Sequence, residues 1–136
     1  MALILGSIKD APDAQIELKD PATGAPTGAF ITLVGPENPK RKSLEHARQR
    51  KVRDSIARTQ RLPVTDPADD EQDAIDRLVS LTIGWSGITD ESGQEIPFTP
   101  DAARKVYEDD DNGWIRIQLL TALEDRRLFI KRSAKT

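Results

Sequence analysis

Ala29-Phe30-Ile31-Thr32-Leu33-Val34-Gly35-Pro36-Glu37-Asn38-Pro39 is where the character of the chain changes. Its first six residues are apolar, β-branched or aromatic, the composition of a strand with at least one buried face. Its last two are a helix start. The asparagine side chain can accept one of the orphan amide protons of the first turn, and proline at the first helical position gives up a donor that has no partner there. Strand signals lie before this junction and helix signals after it.

Upstream, Gln15-Ile16-Glu17-Leu18-Lys19 alternates polar and apolar residues, the period of a half-buried strand. Between it and the strand at Ala29 lies Asp20-Pro21-Ala22-Thr23-Gly24-Ala25-Pro26-Thr27-Gly28, a turn-rich connection. The two runs read as a β-hairpin. A lone hairpin is marginal in water, so it must lie on the rest of the chain or pair with a neighbouring copy.

Downstream, the helix-start signature recurs at Asp66-Pro67 and Thr99-Pro100, and Asp69, Asp70 and Glu71 place negative charge at the positive end of the second helix dipole. A fourth start falls near Asp111 or Asn112. The spacing predicts helices over 40–60, 67–83, 100–108 and 113–131. In the last of these, Ile115, Leu119, Leu123 and Ile130 form one stripe, widened by Leu120 and Phe129; the second carries Ile75, Leu78, Val79 and Ile83. The first has only a thin apolar line, Leu44, Val52 and Ile56, on a charged rod. The expected fold is therefore mainly α: an N-terminal β-hairpin arm over 1–38, then a domain of four helices over 39–136. The last three helices form its core and the first is loosely held.

Composition limits the function. The chain has 136 residues, no cysteine and a single histidine, His46, which removes thiol nucleophiles, zinc–thiolate sites and most general-base and triad chemistry. A non-enzymatic protein without cofactor or metal is expected. The apolar start Met1-Ala2-Leu3-Ile4-Leu5 lacks a basic lead and gives way to Gly6 and Lys9. A signal peptide needs a longer apolar core and a membrane span about 20 apolar residues, so a soluble, cytosolic protein with no membrane partner is expected.

Net charge is −3, from 20 basic and 23 acidic residues, but the average conceals a segregation. Between Lys40 and Arg61 nine basic residues stand against two acidic ones, a net of +7. Clustered Lys and Arg can release counterions from nucleic-acid phosphates. No interleaved aromatics accompany them, and the preferred reading of the run is a solvated helix, or one that docks on an acidic surface of a partner or a second copy. The candidate binding residues are Leu44, Arg48, Arg50, Lys51, Val52, Arg53 and Ile56. His46 reads as a surface residue.

Three other stretches invite chemistry. Glu108-Asp109-Asp110-Asp111-Asn112-Gly113 has the oxygen ligands and sixth-position glycine of a calcium loop, but the twelfth position is Leu119 where a bidentate glutamate is required. An acidic, capped turn between helices fits better. The carboxylates of 66–76 suit a helix N-terminus rather than acid–base work. The segment from Gly84 to Thr99 is long for so small a domain, yet carries Trp85, Ile88, Ile96 and Phe98. These can pin it to the core on both sides of the turn at Asp90-Glu91-Ser92-Gly93, with Trp114 packing beside it.

With this segment the order of features becomes familiar. Trp85-Ser86-Gly87-Ile88-Thr89-Asp90, Gly93, Ile96-Pro97-Phe98-Thr99, a helix, Trp114-Ile115 and a final helix ending Leu128-Phe129-Ile130 resemble the tail assembly chaperone of long-tailed (siphophage, lambda-like) bacteriophages. The front half, Leu18-Lys19-Asp20-Pro21-Ala22-Thr23-Gly24, Thr27-Gly28 and Ile31-Thr32-Leu33-Val34-Gly35-Pro36, is similar to the start of small phage and prophage tail proteins of that type. The resemblance covers about 15–130 and rests on order and spacing. It implies a protein that binds the coiled-coil tape measure protein, keeps it soluble and helps recruit tail tube (major tail) subunits. It also implies residence in the host bacterial cytoplasm, absence from the mature virion and, in many relatives, a longer frameshifted form. Self-association is expected, through the hairpin edge. The competing reading is a small nucleic-acid-binding or regulatory protein using the 40–61 helix.

Overall fold

A computed structural model describes residues 2–61 and 66–132. Nine elements follow in order: strands β1 (Ile8–Asp10), β2 (Asp13–Lys19) and β3 (Pro26–Val34), helices α1 (Pro39–Thr59) and α2 (Pro67–Leu81), strand β4 (Thr82–Ser86), helices α3 (Pro100–Glu108) and α4 (Gly113–Glu124), and strand β5 (Ile130–Arg132). The expectation of a mainly α protein is corrected: this is a mixed α/β fold with two antiparallel sheets, in which helices remain the larger part.

The expected hairpin exists, with Ile16 opposite Ile31 and Gln15 opposite Thr32. Its turn is held by Asp20, whose carboxylate accepts from the Ala22 and Thr23 amides at 2.8 and 3.2 Å. It is not an arm. β4 pairs with β3 along its other edge, giving the order β2-β3-β4. Ala29, Ile31 and Leu33, alternate residues of β3, join Leu18 of β2 in one core with α2, α3 and α4. The far end of β2 is clamped to α4 by the Gln118 amide, which accepts from the Lys19 N–H at 2.9 Å and donates to its carbonyl at 2.7 Å. The core that sequence assigned to three helices thus draws five of its fifteen buried apolar residues from the sheet.

Two helix ends move for definable reasons. The second was expected to reach residue 83, because Ile83 continues the stripe of Val79. Instead α2 ends at Leu81, and the Thr82 hydroxyl closes it by donating to the Leu78 carbonyl at 2.6 Å. Thr82 then leaves in extended geometry, β4 pairs with an irregularity between Thr32 and Leu33, and Ile83 lies 42% exposed rather than buried. The last helix was expected to reach 131 but stops at Glu124. Asp125 caps a short 3-10 turn, Arg126–Phe129, and the chain re-enters as β5 against β1, with Asp10 opposite Ile130. Phe129 still reaches the core, while Ile130 belongs to a strand.

The three proline-led starts form as expected. The side chains of Asn38, Asp66 and Thr99 accept from the amides of Lys40, Ala68 and Ala102 at 2.9, 2.8 and 3.0 Å. α1 is loosely held: of its residues Arg41 alone is buried, with Leu44 packed against the core edge.

Candidate functional site: a groove between two charged helices

α1 leaves the core at Asn38, and it does not close on α2. An open groove of about 540 Å³ separates them, with Leu44, Arg48, Lys51 and Val52 on the α1 side. Helices packed along their length approach to about 8–10 Å between axes and leave no such channel. Apolar area on this side of α1 stays in water: Val52 is 43% exposed and Ile56 38%.

The start of α1 is tied to the core. Arg41 is 6% exposed and donates to the carbonyls of Val34 at 3.3 Å and Leu123 at 2.6 Å, its guanidinium lying 5.8 Å from the Phe129 ring centre. Burial, reinforced by the neighbouring charge of Arg77, lowers its pKa from the ordinary arginine value. Arg77 of α2 bridges two elements, donating to Glu45 of α1 at 3.0 Å and to Glu124 of α4 at 3.2 Å.

The seven expected binding residues divide. Leu44, Arg48, Lys51 and Val52 line the groove. Arg53 and Ile56 lie in a shallower depression of about 460 Å³ that shares Arg48 and Val52 with it. Arg50 lines neither and stands in solvent. The second wall was missed by sequence: Asp73, Asp76, Arg77 and Ser80 of α2, with Arg58 added from α1. The available signal was the polar row at 73, 76–77 and 80, a helical spacing on the side of α2 away from Ile75 and Leu78. Asp76 is held below the usual carboxylate range by its hydrogen bond from Arg104 at 2.7 Å, so it stays ionised.

The expected loop anchors are ordered, but Trp85 sits in β4. Its indole N–H donates to the Ile96 carbonyl at 2.8 Å, and its ring meets Phe98 edge-on at 5.2 Å. The Ile96 amide returns to the Ile88 carbonyl at 2.8 Å, and Thr89 bridges Glu95, so the segment is a small clasp. Asp90 organises its tip, with hydrogen bonds first from the Ser92 hydroxyl and then from the Gln94 amide lowering its pKa. Trp114 packs against the core at the start of α4. In the acidic turn Asp109 caps Asp111 at 2.9 Å and Asn112 donates to the Val106 carbonyl. Among the described residues no group of carboxylates and histidine is placed to hold a metal ion, and no helix is long and apolar enough to cross a membrane.

Fold and groove together define a small mixed α/β protein with an open, charged two-helix channel. The chain belongs to the YdaY prophage protein family, whose model matches residues 38–135, and it is therefore phage-derived. That match begins at the N-cap of α1; the β2–β3 hairpin lies outside it although it shares the core. No curated protein and no solved structure matches the chain.

Proposed function

We propose that this prophage protein is a tail assembly chaperone. It binds a tape measure protein, keeps that long helical chain soluble and helps bring tail tube subunits to it. The observation that carries the reading is the channel between α1 and α2. Its shallow apolar strip and charged rims fit the helix-in-groove mode, in which an amphipathic helix lays its apolar face between two others. Prophage membership and the order of features shared with tail chaperones support it. The role needs no catalysis and no cofactor, and it belongs to the host cytoplasm, before the virion is complete.

Copurification tests it. A tagged copy of this chain, co-expressed with the long helical tail protein of the same prophage, should retain that protein on the affinity resin. Absence of the long protein from the eluate, with both chains expressed, contradicts the reading. A second reading, nucleic-acid binding through α1, draws on Lys40, Arg50, Lys51, Arg53 and Arg58, cations without an ion-pair partner among the described residues. It predicts retardation of DNA or RNA that weakens steeply with salt.

A further inference from the structure

We infer that the groove selects an amphipathic helix with acidic side chains along one flank of its apolar stripe and basic side chains along the other. This deepens the chaperone reading and rests on it for the identity of the partner. The groove walls carry opposite charge. Lys51 and Arg58 project from α1 and Asp73 from α2, all exposed and without ion-pair partners among the described residues, with Asp76 beside Asp73 kept ionised by Arg104. Leu44 and Val52 lie between them.

From Leu44 to Arg58 the α1 wall spans about 21 Å at a rise of 1.5 Å per residue, roughly four turns of a bound helix. A helix seated there has its apolar stripe on Leu44 and Val52 and its two flanks against walls of opposite sign. Charge complementarity then favours unlike flanks and fixes which way the helix runs, because reversing its direction exchanges the flanks. The same walls disfavour other occupants. The α1 of a second copy, with eight basic residues against two acidic ones, would bring a net +6 against Lys51 and Arg58. A nucleic-acid strand would place phosphates against Asp73 and Asp76.

The test uses the full chain and three synthetic helical peptides of four to five turns sharing one leucine stripe. One has glutamates on one flank and lysines on the other, one has glutamates on both, and one has lysines on both. Fluorescence anisotropy should show the mixed peptide binding roughly threefold to tenfold tighter than either uniform one, the sum of a few exposed ion pairs. Asp73→Lys, at an exposed site, should shift the preference to the all-glutamate peptide. Equal affinities, no binding, or a ranking in which a uniform peptide wins on the wild-type chain overturns the inference, and so does an unshifted preference in a folded Asp73→Lys variant. Failure here with copurification intact removes the charge selectivity and leaves the chaperone reading. Selective peptide binding without copurification does the reverse.

Discussion

The Arg41 guanidinium donates to the Leu123 carbonyl at 2.6 Å, tying the first turn of α1 to the end of α4. One buried side chain thereby anchors the start of a helix that has only Leu44 packed against the core further along. The Leu123 carbonyl belongs to the last turn of α4, where the ladder leaves carbonyls unpaired, so the contact also caps that helix.

Replacing this arginine should therefore act at two ends. Arg41→Ala leaves the carbonyls of Val34 and Leu123 without this donor and opens space beside Phe129, and about 3 kcal/mol of stability should be lost. Arg41→Lys should recover only part of this, since an ammonium lacks the fork that reaches both carbonyls. Urea unfolding at neutral pH measures both, and a loss under about 1 kcal/mol for the alanine variant would show the contact to be incidental.

Gly87 and Gly93 separate two kinds of glycine requirement. Both have positive φ, 75° and 86°, but a Cβ at Gly87 would run into the Gly28 carbonyl oxygen, whereas at Gly93 it meets open space. Gly93→Ala should cost about 1 kcal/mol from backbone strain alone. Gly87→Ala should cost at least ~2 kcal/mol, because the β3–β4 junction must move as well. Equal thermal midpoints for the two variants would contradict this.

The clasp built on Trp85 offers a third test. Trp85→Phe keeps a ring against Phe98 but removes the donor to the Ile96 carbonyl, and should cost about 1 kcal/mol. Amide hydrogen exchange at Ile96 should accelerate with it, since that amide bonds to Ile88 across the same clasp. Unchanged protection at Ile96 would uncouple the tryptophan from the loop.

Tyr107 makes alkaline stability a readout of the core. Burial pushes its phenol from 10.0 to about 12, partly opposed by the 2.8 Å hydrogen bond to Thr82. A raised folded-state pKa favours the protonated form, so its contribution is complete below the unfolded value and is lost as pH rises through about 12. Tyr107→Phe should be weaker at neutral pH, where it forfeits the Thr82 bond, yet lose less than the wild type between about pH 10 and 12. At the acid end the sign reverses. Glu37 and Asp125 have pKa values lowered chiefly by hydrogen bonds from Lys42 and from Arg127, so their contribution is present above the ordinary carboxylate range and fades as pH falls through the depressed values. Identical alkaline slopes for wild type and variant would contradict the Tyr107 assignment.

Local chemistry made some of the fold legible in advance. The caps at Asn38, Asp66 and Thr99 could be read because a cap is decided by two or three adjacent residues. The β2–β3 hairpin was legible from alternation and turn residues. β4 was not, because Thr82-Ile83-Gly84-Trp85 continues a helical stripe on one side and opens a loop on the other. Only its pairing with β3 makes it a strand. The short β1–β5 pair failed for the same reason: three residues carry no period, and their partners lie more than a hundred positions apart. Of the groove, the α1 wall was visible as concentrated charge. The α2 wall was not, since Asp73 and Asp76 resemble any solvated helix face until α1 is seen to lie opposite.

The proposal that the α1–α2 channel holds a tape measure helix in solution is tested most directly by a sedimentation measurement. The long helical tail protein of the same prophage is expressed with the wild-type chain, with Val52→Asp, or alone, and its soluble fraction is measured. Val52 is exposed, so the substitution should leave the fold intact while placing a charge in the apolar strip of the groove. The chaperone reading predicts a soluble long protein with the wild-type chain and an aggregated one with Val52→Asp or with no chaperone. Equal solubility in all three, with the variant folded, would contradict it.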